Sequence, residues 1–199
     1  MNMNAVVKIK GLNVEAPRSL EGFRSILRWL PEFDNATMLF HSPKYHPEGD
    51  HSLAAHMEAV YAKWLEQIPC LCNAPHSHEL AFWAILFHDI GKDACAKAKG
   101  DGTSSFIKHE SEGMKIFNEN YADWFSPENA EAIAYCIKEH TNFWFIAKHG
   151  KVEAMKNHPH FWLLAEVALC DKMGFKDDEW SERLSFFGFE KREGCACKN

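Results

Sequence analysis

The feature that most constrains this chain is an apolar segment that ends in adjacent polar side chains. Residues 78–87 are largely apolar, and they lead directly into residues 88–92, His-Asp-Ile-Gly-Lys. Burying His88 and Asp89 beside Phe87 costs free energy unless both side chains are paired or bound to a metal ion. A neutral imidazole and a carboxylate are suitable ligands for a first-row metal. The segment therefore predicts a buried helix whose end presents a pair of metal ligands.

Taken alone, this pair also fits a solvated helix end, with His88 as a capping residue and Asp89 in water. Gly91 permits a sharp turn after the pair, and Lys92 places a cation beside it. A phosphate oxygen can occupy the space next to such a lysine. Polar residues at inward positions elsewhere in the chain decide between the two interpretations.

The first of these residues is His56. In the predicted helix over residues 51–67, Leu53 and Met57 share an apolar face at helical spacing, and His56 lies on that face. His51 lies closer to the polar side. We therefore predict that His56 points inward, and that His51 is a candidate for contact with substrate.

Three further residues follow the same pattern. Asp171 continues the apolar stripe formed by Leu164 and Val167, and a carboxylate on such a stripe requires a cation. His109 begins one predicted helix and His140 ends another, and both continue apolar faces. These residues add to His56 and the His-Asp pair as candidate metal ligands.

Apolar residues recur at helical spacing in six segments, and no pair of alternating apolar runs indicates a sheet. The predicted helices cover residues 19–29, 51–67, 78–87, 109–121, 126–140 and 160–173. We therefore predict an all-α fold, a compact helical bundle in a single domain. Residues 1–40 form an N-terminal arm and first helix, residues 41–174 the functional core, and residues 175–199 a C-terminal tail.

Charge and composition exclude several classes of function. The formal net charge of -6 argues against stable binding of duplex DNA. No apolar stretch reaches eighteen residues and the N-terminus lacks a signal-like segment, so we expect a cytoplasmic protein without a membrane span. The seven cysteines are expected to be reduced thiols. Two Cys-x-Cys pairs, at 70–72 and 195–197, leave a zinc site as the alternative.

The ordered series His56, His88-Asp89 and Asp171 resembles the HD superfamily of metal-dependent phosphohydrolases. Two additional histidines, His109 and His140, make the chain most similar to the HD domains of bacterial tRNA nucleotidyltransferases and to the nuclease HD domains of Cas3-type proteins. The segments that carry this likeness are residues 45–50, 88–92, 106–113 and 139–140. In the tRNA nucleotidyltransferase pattern the first ligand falls at the position of Ala54, with His51 and His56 on either side.

The resemblance implies a divalent metal cofactor, bound as two ions. The candidate metals are Mn, Ni, Co, Fe, Mg and Zn. The first ion is held by His56, His88, Asp89 and Asp171, and the second by Asp89, His109 and His140. Asp89 is then the bridging and catalytic carboxylate, and Lys92 steadies a non-bridging phosphate oxygen. Metal-activated hydroxide attacks phosphorus, so no protein nucleophile is required.

The implied substrate is a phosphoester of a nucleotide or of a nucleic-acid end, and the implied activity is that of a phosphodiesterase or nucleotide phosphatase. A single-strand nuclease of the Cas3 type is an alternative enzyme, although the net negative charge argues against it. A module that senses nucleotide or metal without catalysis is the alternative from another class. The presence of both additional histidines and of Lys92 favours an enzyme.

Overall fold

The computed structural model describes residues 7–9, 12–43, 50–67, 78–148, 155–172, 185 and 188–189. Most of these residues are helical, which confirms the predicted all-α class. The helices are α1 (Leu20–Leu27), α2 (Leu53–Gln67), α3 (His78–Phe87), α4 (Lys92–Cys95), α5 (His109–Asn120), α6 (Pro127–Lys148) and α7 (Phe161–Asp171), with single 3-10 turns at Pro31–Phe33 and Ala122–Trp124. The strands are β1 (Val7–Ile9), β2 (Leu12–Val14), β3 (Lys97–Ala98) and β4 (Ser104–Ser105).

Two helices form the centre of the domain. Helix α3 is buried on every side from Ala81 to Phe87, and α7 is buried from Leu163 to Cys170. A helix without a polar face can be stable only when neighbours surround it, and here α2, α3 and α6 pack against α7. Both central helices end at candidate ligands, because α3 leads into the His-Asp pair and α7 ends at Asp171. The core therefore fixes the position of the site.

Helix α6 is longer than predicted. Ser126 caps its first turn, with Asn129 N–H donating to Ser126 Oγ over 3.4 Å. The expectation that the helix ends near His140 is wrong, because it continues to Lys148. Phe143 is buried, and its ring lies 6.2 Å from that of Phe161 on α7, so tertiary packing extends the helix beyond the histidine.

Two small antiparallel hairpins were not expected from the sequence. β1 pairs with β2, and β3 pairs with β4. Each strand has only two or three residues, too few for an alternating pattern to be recognised. Ser104 N–H donates to Phe40 C=O over 2.8 Å, which fastens the second hairpin beside His41.

Three cysteines, Cys95, Cys136 and Cys170, are free thiols. The two Cys-x-Cys pairs and most of the predicted tail lie outside the described residues. None of the described helices is both long enough and apolar enough to cross a bilayer.

Gly91 allows α5 to approach the turn that follows α3. A Cβ atom at Gly91 would lie 2.1 Å from the carbonyl oxygen of His109 and 2.5 Å from the backbone nitrogen of Gly113. Backbone atoms cannot move away as a flexible side chain can. The close approach that places His109 beside the His-Asp pair therefore requires glycine at position 91.

We expect Gly91→Ala to lower the free energy of unfolding by about 2–3 kcal/mol, because the new methyl group overpacks a backbone contact. Gly100→Ala is the matched control, since a Cβ atom there meets nothing within 4 Å. The control should change the free energy of unfolding by no more than about 0.5 kcal/mol. Urea titrations of both variants test this, and equal stability of the two would contradict it.

Candidate metal centre

Four ligand-type side chains from separate parts of the chain meet at one point. They are His56 from the first turn of α2, His88 and Asp89 from the turn after α3, and Asp171 from the end of α7, and their ligand atoms all lie within 4.8 Å of one another. His56 Nε2 lies 3.0 Å from Asp171 Oδ1 and 3.3 Å from Asp89 Oδ2. His88 Nε2 lies 3.2 Å from Asp89 Oδ2 and 3.6 Å from Asp171 Oδ1.

The second group shares Asp89 with the first. His109 Nε2 lies 3.3 Å and His140 Nε2 3.4 Å from Asp89 Oδ1, the carboxylate oxygen that faces away from His56 and His88. The two Nε2 atoms are 3.3 Å apart. The two oxygens of Asp89 therefore face two different sets of imidazole nitrogens.

Three of the histidines are oriented in the same way. The Nδ1 atoms of His88, His109 and His140 lie 2.6, 2.8 and 2.9 Å from the backbone carbonyl oxygen three residues earlier in the chain. A carbonyl can only accept a hydrogen bond, so Nδ1 carries the proton in each of these bonds. The lone pair of neutral imidazole is thereby directed from Nε2 toward Asp89, as a metal ligand requires.

Burial leaves polar atoms at the centre without hydrogen bonds. Among the described residues, neither His88 Nε2 nor either carboxylate oxygen of Asp89 has a partner with hydrogen-bond geometry, and both side chains are fully buried. Such atoms carry a large desolvation cost unless an ion satisfies them. Histidine nitrogens and carboxylate oxygens are also the donors that divalent transition metals prefer. The residues present therefore fit a divalent cation.

The electrostatics of the cluster also demand positive charge. Burial raises the pKa of the Asp89 carboxyl. The attraction of His88 and Lys92 for the ionised carboxylate is larger, and it holds that pKa well below its ordinary value. Burial likewise raises the pKa of Asp171, and its contacts with His56 and His88 reverse the shift. Burial lowers the pKa of His88, yet Asp89 and Asp171 raise it to about 9. Two ionised carboxylates thus attract whatever cation is available, a proton or a metal ion.

Lys92 lies beside the cluster, held by a residue that the sequence analysis did not single out. Its Nζ atom is 2.6 Å from Asp89 Oδ2 and 3.0 Å from Nε2 of His41, and both the lysine and the histidine are buried. The His41 ring also packs 5.1 Å from that of His56 and 5.0 Å from that of Phe106. His41 lies outside the predicted helices, so helical spacing gave no signal for it.

The cluster opens onto a cavity of about 620 Å³. Its wall comes from the segment around His41, the β3–β4 hairpin, the beginning of α5, the middle of α6 and the end of α7. Four lysines line it, against two carboxylates, Glu110 and Asp171. The cavity is therefore locally basic although the whole chain carries a net charge of -6.

The structure brings all six predicted metal ligands together and separates His51 from them. His56 is fully buried within the first group, as its helical phase predicted, whereas His51 is half-buried at the start of α2. His51 is not among the described residues that line the cavity. Its contact with substrate, and the ligand roles of the six residues, stay predictions.

Comparison with known proteins agrees with this geometry. The family model for the HD domain matches residues 49–174, which are more than half of the chain. The chain belongs to the HD domain family. A separate comparison with curated proteins finds no match. The narrower likeness of this HD domain to tRNA nucleotidyltransferases and to Cas3-type nucleases stays a prediction.

Metal content distinguishes the two candidates for the first ligand of the HD domain. We expect His56→Ala to lose about one equivalent of bound metal, because its Nε2 atom lies in the four-residue group. His51→Ala should retain the wild-type content, and it serves as the matched control from the same end of α2. Elemental analysis of both variants after loading with Mn²⁺ tests this. Metal loss from the His51 variant alone would reverse the assignment.

The second group of ligands has its own test. Replacing His109 and His140 together with alanine should remove about one metal equivalent and leave the first ion in place, since the four residues around His88 are unchanged. Elemental analysis gives the stoichiometry, and circular dichroism confirms that the variant is folded. A folded double variant with the full wild-type metal content would show that these histidines hold no ion.

Proposed function

We propose that this HD domain protein is a metal-dependent phosphohydrolase. The observation that carries the proposal is the position of Asp89, whose two carboxylate oxygens face separate groups of histidines beside a lysine-lined cavity. Membership of the HD domain family supports the same class of chemistry. A sensor module without catalysis would not need two complete groups of ligands around one carboxylate.

His56, His88, Asp89 and Asp171 would hold one divalent ion, and Asp89, His109 and His140 would hold a second. Ions at these positions would activate a phosphate as Lewis acids and would lower the pKa of a water molecule toward about 7. The protein fixes the ligands through burial and through the carbonyl contacts of Nδ1. The HD domain thus contributes a rigid arrangement of donors that does not have to reorganise during the reaction.

Lys92 is the residue of this chain that we assign to the phosphate group. An ammonium has three N–H donors. One is directed at Nε2 of His41, whereas the contact with Asp89 is an ion pair without hydrogen-bond geometry. A donor is therefore available to a non-bridging phosphate oxygen, since Lys92 also lines the cavity. The same contacts limit the motion of the ammonium, so Lys92 orients the phosphate and neutralises part of its charge.

The substrate we propose is a phosphoester of a nucleotide or of a nucleic-acid end. The cavity has the volume of a small-molecule site, for which about 300–1,000 Å³ is usual. Besides its lysines, the wall includes Phe106, Ile107 and Trp144, which offer apolar and aromatic surface to a base. Charge for phosphate and apolar surface for a base together favour a nucleotide over inorganic phosphate alone.

A substrate screen tests the proposal. The purified protein is loaded with Mn, Ni, Co, Fe, Mg or Zn and incubated with cyclic nucleotides, nucleoside monophosphates, nucleoside triphosphates and single-stranded oligonucleotides. Release of inorganic phosphate or of a linear nucleotide from at least one nucleotide is the expected result. Absence of turnover with every metal, in protein that binds metal fully, would overturn the proposal.

On the substrate that the screen identifies, Asp89→Asn should lower kcat at least about 100-fold. Partners of metal ligands alone contribute roughly 10–100-fold to activity, and the shared ligand should contribute more. Asp93→Asn is the matched control, because the Asp93 carboxylate accepts hydrogen bonds from Asn35 Nδ2 and belongs to neither group of ligands. Activity of the Asp89 variant within a few-fold of wild type would remove Asp89 from the mechanism.

A further inference from the structure

Three exposed lysines from distant parts of the chain line the same cavity. Lys99 lies in the turn between β3 and β4, Lys108 directly precedes α5, and Lys172 directly follows α7. No single basic segment brings them together, so their proximity results from the fold. Lys92 is different, because it is buried against Asp89 at the metal centre.

Within the part of the chain that the structure describes, these three lysines lack ion-pair partners, whereas one exposed lysine on α5 and one on α6 have them. Lys115 lies 3.8 Å from Glu112, and Lys138 lies 3.3 Å from Glu139. Cations that line one cavity raise its positive potential unless an anion neutralises them. We therefore expect the cavity to attract an anionic group from outside the protein.

The backbone at Lys108 gives independent support. This residue adopts φ 69° and ψ 18°, the left-handed conformation that a side chain with a Cβ atom rarely adopts. Such strained conformations occur disproportionately at ligand sites. Glycine would relieve the strain here but would remove the ammonium group. The strained residue lies next to His109, on the wall of the cavity.

We propose that Lys99, Lys108 and Lys172 form a second anion subsite, which binds a phosphate group of the substrate other than the one that is hydrolysed. The inference rests on the proposed function and deepens it, because it specifies the class of substrate. The metal centre and Lys92 take the scissile phosphate, and the exposed lysines take the other one. The preferred substrate is then a nucleotide with at least two phosphate groups rather than a nucleoside monophosphate.

Calorimetric titration of the Mn²⁺-loaded full chain tests the subsite without relying on turnover. The probes are adenosine 5′-monophosphate, adenosine 5′-diphosphate and adenosine 3′,5′-bisphosphate, which differ in the presence and place of a second phosphate. At least one two-phosphate probe should bind about tenfold more tightly than the monophosphate. This advantage should shrink at high salt, because the lysines are exposed. Equal affinity of the three probes within twofold would overturn the inference.

Variants assign the advantage to the three lysines. The triple variant Lys99→Ala, Lys108→Gly, Lys172→Ala should bind the three probes with equal affinity within twofold, whereas arginine at all three positions should restore the difference. The control pair Lys115→Ala and Lys138→Ala should keep it. A triple variant that retains the tenfold advantage would overturn the inference.

The single variant Lys108→Gly distinguishes the effect of losing the ammonium group from an effect on folding. This variant should melt at the same temperature as wild type or higher, since glycine adopts the left-handed backbone without strain, and it should still lose part of the two-phosphate advantage. Hydrolysis is followed in the same samples. A two-phosphate advantage without turnover would leave the subsite standing and refute the phosphohydrolase, whereas turnover with equal affinities would refute the subsite alone.

Discussion

The structure depends on the burial of one carboxylate between two sets of imidazoles. Asp89 is fully buried, and its oxygens face His56 and His88 on one side and His109 and His140 on the other. An isolated carboxylate in this position would be costly. The helices that carry the histidines must therefore converge on it. The fold and the centre are thus coupled, because α2, α5 and α6 must each present a histidine to Asp89.

The way in which α5 reaches the centre illustrates this coupling. The turn after α3 must present His88 and Asp89 to the centre. At the same time, the backbone of α5 must pack against this turn at very short distance. Gly91 meets both requirements because it has no side chain, and Gly113 opposite it completes the contact. Small residues at a helix contact permit the two backbones to approach closely. Here they also determine how far His109 can approach Asp89.

Helical spacing predicted much of the fold and the positions of the site residues, because inward histidines and carboxylates interrupt otherwise apolar faces. His56 and Asp171 were found in this way, although they are more than one hundred residues apart. His41 was missed because it lies in a segment without periodicity. The length of α6 was missed because contacts with α7, rather than local sequence, extend that helix. Periodicity predicts which face of a helix is buried. It does not predict contacts between elements that are distant in the sequence.

The carbonyl contacts of the three histidines have a consequence for how such a centre withstands sequence change. The acceptors belong to the backbone at Ile85, Phe106 and Ile137, so the protonated nitrogen of each imidazole is set by the path of the main chain and not by a neighbouring side chain. Substitutions at these three positions leave the acceptors in place as long as the path is preserved. The tautomers of these three histidines are therefore insensitive to most side-chain substitutions at the acceptor positions. Residues that line the cavity can then vary while the arrangement of the ligands stays the same.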